Sequence, residues 1–357
     1  MILRSRQQSN LPVYRQLCSR YLISILAVAF LAVLSLPDAN AAAQSSSMGA
    51  ATSCTVTKLS PVLYTAIDGH TETLTPWEGP KVAVLVEPGG TRTAAVMTKM
   101  ACALNRAYTY YQTTVGRSPA PAKTLNGRDT VAEVTTTCGA GCTYIGATGT
   151  ELLTSTFDNL YNEIACCNLY DQTPFYEFGR SFWFWSNQLQ LPSPCTDPVV
   201  TGFAVWMRFR SMSAAGVAGA PFPGPGGTPF NTFKAQVQGL EGIYDSNASD
   251  TFAGTLCADQ SPGMYSGTDF WASIMMKLAS LYGGQQFTRR FWQHLSSLPA
   301  ATSVPSAITN WLNEADYASC VNLSSVFYKR WGFPQPNGTV VNPRPAASTV
   351  PFPVGHC

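Results

Sequence analysis

The hydrophobic pattern in the first half of the chain switches between strand and helix signals. A β-branched run at residues 81–87 predicts a strand, because it is almost wholly apolar and stops before Pro88. Residues 93–113 carry Ala, Met, Leu and Tyr at helical spacing, which predicts a helix. The next predicted elements are a strand at 131–136, strand segments at 144–146 and 151–153, and a helix at 157–166.

The second half is predicted to be mainly helical. Its expected helices span 173–189, 198–214, 230–244, 268–281, 285–295, 306–317 and 322–331. Together these patterns predict an α+β fold, in which a small mixed sheet with helices precedes a mainly helical C-terminal subdomain. The predicted segments are a signal peptide at 1–41, a lead-in segment at 42–80, a first half at 81–215, a Gly/Pro-rich loop at 216–229, a helical subdomain at 230–336 and a Pro-rich tail at 337–357. The loop is either a linker between subdomains or a long loop within one domain.

The N-terminus has the pattern of an export signal. Four Arg precede an uncharged apolar run at 21–36, Pro37 follows it, and Ala39-Asn40-Ala41 fits a small-x-small cleavage site. The run has 16 residues and is short for a spanning helix of about 20. We therefore expect a secreted protein. The alternative is an uncleaved signal-anchor that tethers the chain, and only in that case do we expect contact with a membrane.

Composition and charge narrow the class of partner. Charged residues make up only 12% of the chain and hydrophobic residues 45%, which excludes a charged disordered protein. Without residues 1–41 the formal net charge falls from +2 to −1, because four Arg and Asp38 are removed. A nearly neutral body lacks the concentrated Lys and Arg that phosphate binding needs, so we do not expect a nucleic-acid partner.

Ten cysteines remain after the signal, an even number that predicts up to five disulfides in an exported chain. We expect Cys138 to pair with Cys142, because two glycines let the short loop between them close. Adjacent Cys166 and Cys167 are expected to bond to different partners, since a bridge between neighbours strains the backbone. Zinc binding by these thiols is the alternative. Glycosylation sequons begin at Asn247, Asn322 and Asn337.

Most common catalytic motifs are missing from the sequence. There is no G-x-S-x-G nucleophile elbow, no phosphate-binding loop and no Asp-Thr-Gly or Asp-Ser-Gly triplet. The three histidines His70, His294 and His356 are far apart, and nothing in the sequence selects a nucleophile to accompany one of them.

One helix carries a pattern related to metal chemistry. The segment Tyr176-Glu177-Phe178-Gly179-Arg180 resembles the H-E-x-x-H helix of zincin metallopeptidases, in which two His bind zinc and the Glu polarises water. A second motif follows in 317–334: Tyr317, then an N-L-x-x-V-F segment, then W-G-F-P. This ending is similar to that of enhancin-like, mucin-targeting gluzincins. The resemblance covers roughly residues 81–336 and implies a zincin-like fold.

The departures from that family determine the predicted function. Tyr176 and Arg180 stand at the two His positions, and Arg is a cation that would repel Zn²⁺. The family's third ligand is a Glu on the following helix, but here residues 199–206 contain no carboxylate. We therefore expect no metal and no cofactor. Glu177 and Arg180 are instead expected to form an ion pair that includes the Tyr176 hydroxyl.

Three functions remain as hypotheses. The first is a secreted, non-catalytic protein that binds an extracellular glycoprotein or carbohydrate, with a cleft formed by Tyr176, Glu177, Arg180 and Trp183. Its target class comes from the family resemblance alone. The second is an active hydrolase, either a metallopeptidase with unrecognised ligands or a metal-free enzyme with Glu177 as base and Tyr176 as acid. The third is a structural, disulfide-bonded surface protein.

Overall fold

An eight-stranded sheet forms the N-terminal part of this computed structural model, which describes residues 54–224, 226–263, 265–355 and 357. The predicted signal peptide and the first part of the lead-in segment lie outside the described residues, as does His356. The strands are β1 Thr57–Lys58, β2 Val62–Thr65, β3 Thr71–Glu78, β4 Val82–Val86, β5 Thr124–Leu125, β6 Arg128–Val134, β7 Gly141–Thr143 and β8 Thr150–Leu153. A separate two-stranded sheet pairs β9 Leu169–Tyr170 with β10 Ala218–Gly219.

The main sheet is mixed. Its order is β1-β3-β4-β6-β8-β7, with β2 added to β3 and β5 added to β6. The central strands β4, β6 and β8 are parallel, whereas β3 and β7 run antiparallel to their neighbours. Three of the strands lie in 57–78, where we predicted no element. These strands were missed because they sit towards one edge of the sheet, where half-exposed strands keep polar residues and lose a clear apolar pattern.

The helices account for most of the remaining chain. They are α1 Ala94–Val115, α2 Thr154–Cys167, α3 Thr173–Ser181, α4 Ser186–Leu189, α5 Val199–Ala215, α6 Phe230–Ser246, α7 Gly267–Leu281, α8 Gln285–His294 and α9 Val304–Ser319. The α+β fold class is thereby confirmed, with a mixed sheet followed by a helical C-terminal region. The predicted strands at 81–87, 131–136 and 151–153 are present, but residues 144–146 form a turn after β7.

The predicted helix at 173–189 is broken in two. Residues 182–185 leave the helix between α3 and α4, and they are the four consecutive aromatics Phe182, Trp183, Phe184 and Trp185. Four successive positions on one helix point in all directions, so some of these rings would be exposed. Leaving the helix lets Phe182, Trp183 and Trp185 become almost completely buried.

The predicted helix at 322–331 is present but shorter. Residues 324–325 are α-helical, and Val326–Arg330 continue as a single π-helical turn. This region contains the W-G-F-P motif of the segment 317–334. Its apolar side chains belong to the core, since Leu323, Phe327, Trp331 and Phe333 are each 0% exposed. Between them Gly332 adopts a φ of +62°, and a Cβ there would meet Arg344 at 2.8 Å. The turn therefore requires glycine, which explains the W-G-F spacing.

One hydrophobic core joins the two halves. It runs from Trp77 in the sheet to Phe333 near the C-terminus, and includes residues of both the first half and the helical subdomain. Residues Cys54–Cys357 form a single compact unit, so 216–229 is a long loop within it. A smaller cluster, which contains Tyr64, Leu74 and Leu85, covers the other face of the sheet.

Five disulfides join the ten cysteines after residue 53. The predicted Cys138–Cys142 bridge is confirmed. The expectation that Cys166 and Cys167 have different partners is wrong, because the two bond to each other. The physical reason is that the other eight cysteines pair among themselves, as Cys54–Cys102, Cys138–Cys142, Cys195–Cys257 and Cys320–Cys357. No helix in the described part of the chain combines the length and apolar character that a membrane crossing needs.

Candidate functional site

The helix α3 is fixed at its start and along one side. The Asp171 carboxylate accepts the Thr173 N–H at 2.6 Å just before the helix, and Pro174 suits the first turn. From α1, the Tyr111 hydroxyl donates to the Phe175 carbonyl at 2.8 Å. On the side that faces α5, a Cβ at Gly179 would lie 2.5 Å from the Cα of Ala204. Glycine therefore sets how closely α3 and α5 approach.

Glu177 is enclosed beside the edge strand β7. Its side chain is 5% exposed, and its Cγ lies 3.0 Å from the position that a Cβ on Gly141 would occupy. The Oε2 atom is buried without a hydrogen-bond partner. Burial raises the pKa of Glu177 to about 7, although the nearby charge of Arg180 lowers it in part. Glu177 is thus a carboxyl group that changes protonation near neutral pH.

Arg180 does not form the predicted ion pair with Glu177. Its Nη2 donates instead to the Tyr176 hydroxyl at 2.9 Å and to the Thr201 Oγ1 at 3.2 Å, and none of the ion pairs among the described residues joins it to Glu177. The expected contact with the Tyr176 hydroxyl is present, but the ion pair with Glu177 is wrong, because the long Arg180 side chain reaches across to Thr201 on α5. The hydroxyl of Thr201 is a site member that the sequence did not identify, since a lone Thr in an apolar helix carries no signal.

Arg208 lies close to the Tyr176 ring, and the sequence analysis did not identify it as a site residue. The residue is 4% exposed, and its guanidinium carbon lies 5.7 Å from the centre of the Tyr176 ring. It donates to Gln172 and lies 3.9 Å from a carboxylate oxygen of Asp269. Burial lowers its pKa to about 10, which still leaves it charged at neutral pH. The two Arg in the otherwise apolar α5, Arg208 and Arg210, were the available sequence signal.

Trp183 does not line a cleft, contrary to the prediction. It is 1% exposed and packs against Trp185, Phe203 and Trp292, with ring centres 5.5 to 6.3 Å apart. Its indole N–H donates to Ser186 at 2.8 Å. Trp183 is therefore a core residue, and a ligand cannot reach it without unpacking this aromatic cluster.

The edge strand β7 runs close to α3 and carries an exposed apolar turn. Thr143 and Ser181 share a hydrogen bond of 2.9 Å, and the Gly146 N–H donates to the Arg180 carbonyl at 3.1 Å. Within this turn Tyr144 is 37% and Ile145 53% exposed. Among the strands described, β7 pairs only with β8. Tyr176 and Arg180 are partly exposed on α3, and Tyr144 and Ile145 are exposed on the turn that follows β7; we call these four residues the α3–β7 surface.

The donor set around α3 does not fit zinc. A zinc site needs neutral His, thiolate or carboxylate donors, whereas here a guanidinium, a phenol and a hydroxyl are hydrogen-bonded together. Across residues 54–224, 226–263, 265–355 and 357, no group of three His, Cys, Asp or Glu side chains has the arrangement to hold a metal ion.

The three sequons are accessible. Asn247, Asn322 and Asn337 are all exposed, and in each the side-chain oxygen accepts the N–H of the residue two places on. These small turns present each Asn at the surface, which glycosylation requires. Glycosylation itself stays a prediction.

Comparison with known proteins adds little about activity. No protein-family model matches the chain, and no curated protein does. Two solved structures are similar at the level of backbone: a functionally unknown conserved protein from Bacillus anthracis str. Ames, and a mutant described in the same words. The first is 12% identical, with 71% of this chain aligned and a TM-score of 0.46; the second is 13% identical, with 73% aligned and the same TM-score. The chain spans about half the length of each, 48% in both cases.

Proposed function

We propose that this protein is a zincin-like, exported binding protein without metallopeptidase activity, and that it recognises an extracellular glycoprotein or glycan. The observation that carries the proposal is the Arg180 guanidinium, hydrogen-bonded to Tyr176 and Thr201 where the related enzymes would hold zinc. A fixed cation there opposes Zn²⁺ binding and leaves Glu177 without a metal-bound water to polarise.

Export is supported by the disulfides. Five bridges persist only in an oxidising compartment, which is typical of secreted chains. The surface sequons and the export-like N-terminal sequence agree with this location. The target class, an extracellular glycoprotein or glycan, rests on the resemblance to mucin-targeting gluzincins.

The α3–β7 surface is the proposed binding region. Its edge strand can accept an extended segment by backbone hydrogen bonds, and Tyr144 and Ile145 offer apolar contact area. The phenol of Tyr176 and the remaining N–H groups of Arg180 supply hydrogen bonds that suit sugar hydroxyls or peptide carbonyls.

The zincin-like arrangement can be tested by restoring it. We expect the mature protein, purified without chelator or metal-affinity resin, to contain less than about 0.1 equivalent of zinc by elemental mass spectrometry. The triple variant Tyr176→His/Arg180→His/Thr201→Glu should take up close to one equivalent. A triple variant that folds but stays zinc-free would contradict the zincin-like geometry. About one equivalent of zinc in the wild type would overturn the non-metal proposal.

Binding is tested separately with an immobilised mucin-type glycoprotein and its deglycosylated form. We expect wild-type protein to bind, and Ile145→Asp and Arg180→Gln each to weaken binding about tenfold. The matched control is Arg289→Gln, an exposed Arg on α8, which should bind as the wild type does. Equal binding by all four proteins would exclude the α3–β7 surface, and no binding by the wild type would exclude this target class.

A second function, metal-free hydrolysis, is favoured by one observation. Glu177 has an oxygen without a partner and a pKa near 7, the range that suits a general base. If it acts so, hydrolysis of a peptide or glycoside substrate should continue in chelator, rise with pH around 7, and disappear in Glu177→Gln. Activity that survives this substitution would exclude the hypothesis.

A further inference from the structure

The bridge between Cys166 and Cys167 occupies the exposed end of α2. These are the last two residues of the helix, and both are exposed. Asn168 follows in the left-handed conformation, with a φ of 54°. The strand β9 and then α3 come directly after it, so the bridge lies on the connection that leads into the candidate site.

This bridge differs from the other four in what it holds together. The others join residues 48, 4, 62 and 37 positions apart, whereas Cys166 and Cys167 are neighbours. A disulfide stabilises a fold mainly by restricting the unfolded chain, and this effect grows with the length of the loop that it closes. A bridge within one dipeptide closes no loop. We therefore expect its reduction to change the stability of the fold little.

A basic cavity adjoins the same helix end. It has a volume of about 330 Å³, and its wall includes Asn168, next in sequence to Cys167. Cys102 also lines it, but this cysteine is buried and bonded to Cys54, whereas Cys166 and Cys167 are exposed beside it. Lys99 and Arg106 are its charged members; no carboxylate lines it. Lys99 Nζ donates a hydrogen bond to the Asn168 side-chain oxygen at 3.3 Å, and the Arg106 Nε–H donates to the Ala215 carbonyl at 2.7 Å. The rest of the Arg106 guanidinium stays available to an anion.

Two acids lie four residues from Cys167 in the sequence, Glu163 before it and Asp171 after it. Glu163 lies one turn before Cys167 on α2 and is 9% exposed. Burial raises its pKa to about 8, with a smaller contribution from Asp171, so it is mostly protonated at neutral pH. Neither acid lines the cavity, whose wall carries the two cations Lys99 and Arg106, so an anionic molecule there would meet positive charge close to an exposed disulfide.

We propose that Cys166–Cys167 is a reversible thiol-exchange site, served by an anionic low-molecular-weight thiol that binds in the Lys99–Arg106 cavity. A thiolate of this reagent attacks one of the two sulfurs, the Cys–Cys bond breaks, and the other cysteine leaves as a thiolate. A second reagent thiolate attacks the mixed disulfide and forms the reagent's own disulfide, so that both cysteines are reduced. Two thiols thereby supply the two electrons, and solvent supplies protons to the cysteine thiolates.

The experiment compares an anionic and a cationic thiol on the full oxidised protein. Reduction by glutathione and by cysteamine is stopped with acid at intervals, new thiols are alkylated, and peptides are identified by mass. Each rate is divided by the rate of the same thiol with a small neutral disulfide. We expect Cys166 and Cys167 to be alkylated first, with glutathione favoured at least about threefold at low salt.

Variants separate the cavity from the bridge. Lys99→Gln, alone and with Arg106→Gln, should bring the preference for glutathione close to one, as should about 0.5 M salt. Thr98→Val, a neutral change in the same wall, is the matched control and should keep the preference. Cys166→Ser/Cys167→Ser should melt within about 2 °C of the wild type, because no loop is lost.

Three results would overturn the proposal. The first is a peptide map in which Cys166 or Cys167 is bonded to a distant cysteine. The second is earlier reduction of another pair: Cys54–Cys102 is the strictest comparison for the cavity, because Cys102 lies in its wall, and Cys138–Cys142 for the short loop. The third is equal normalised rates for the two thiols in the wild type, which would remove the role of the cavity.

Discussion

Glu177 and Arg180 lie three residues apart on one helix, yet their side chains have different surroundings. Arg180 uses its hydrogen-bond donors on Tyr176 and Thr201, which are neutral, and keeps part of its side chain in solvent. Glu177 is buried beside β7, and the Arg180 charge only partly offsets the rise in its pKa that burial causes. At the residue scale the site is therefore a hydrogen-bonded basic cluster with a separate, weakly acidic carboxyl group.

Replacing Glu177 should change how stability depends on pH. The raised pKa means that the folded protein holds a proton which the unfolded chain releases between pH 4.5 and about 7. The free energy of unfolding of the wild type therefore decreases as pH rises through that window. Glu177→Gln cannot titrate at this position, so the variant lacks this contribution to the decrease. We expect the variant to gain up to about 3 kcal/mol on the wild type between pH 4.5 and 8, measured by denaturant unfolding. Exposed Glu87→Gln is the control, and equal pH profiles for all three proteins would contradict the prediction.

Replacing Arg180 should cost little stability. Arg180→Leu loses two hydrogen bonds at a half-buried position, and no buried ion pair, so we expect a loss of about 1–2 kcal/mol in denaturant unfolding. A loss above about 3 kcal/mol would point to a direct Glu177–Arg180 pair, because breaking a buried pair leaves an uncompensated charge.

At the scale of elements, the crossing of α3 and α5 determines the site. Thr201 and Arg208 on α5 reach Tyr176 and Arg180 on α3 because the two helices approach closely at Gly179. The break after Ser181 matters equally, because it turns the aromatic segment 182–185 into the core. Glycine at position 179 is therefore a packing requirement of the site.

We expect Gly179→Ala to destabilise the protein by about 1–3 kcal/mol, since the new methyl group would lie 2.5 Å from the Ala204 Cα. The matched control is Gly239→Ala on α6, where nothing lies within 4 Å of the new Cβ. That control should stabilise the protein by about 0.5–1 kcal/mol through helix propensity. Both values come from denaturant unfolding, and equal effects of the two changes would contradict the close helix crossing.

At the scale of the whole molecule, buried acids are distributed throughout the core. Burial raises the pKa of several carboxyl groups to about 7 or 8, namely Asp129, Glu163, Glu177, Glu241 and Glu314. The pKa of His70 is also raised, first by its hydrogen bond to Glu72 and then by that to Asp68. All these groups bind protons more tightly in the folded state, so together they favour folding at lower pH.

The protein should accordingly be most stable in mildly acidic solution. We expect the melting temperature to be several degrees higher at pH 5 than at pH 8, because the proton-linked stability is lost as pH rises through the folded pKa values. The lowered pKa values of Asp68 and Glu72 act in the opposite sense only below about pH 4.5. Scanning fluorimetry at constant ionic strength is the measurement, and a melting temperature that increases towards pH 8 would refute the expectation.

The sequence by itself determined the elements that have a strong local signal. The strand at 82–86 and the helices α1, α5, α7, α8 and α9 follow from apolar periodicity, and Cys138 and Cys142 could pair because the loop between them is short. Local signals of this kind depend on neighbouring residues, which the sequence shows directly.

Only the tertiary structure decided the rest. The break at 182–185 depends on the burial of aromatics by other helices, and the partner of Arg180 depends on how α3 crosses α5. The pairing of Cys166 with Cys167 depends on where the other eight cysteines meet. In each case the deciding contact joins residues far apart in the chain. Burial and hydrogen bonding at such contacts outweigh local preference, and no local pattern records them.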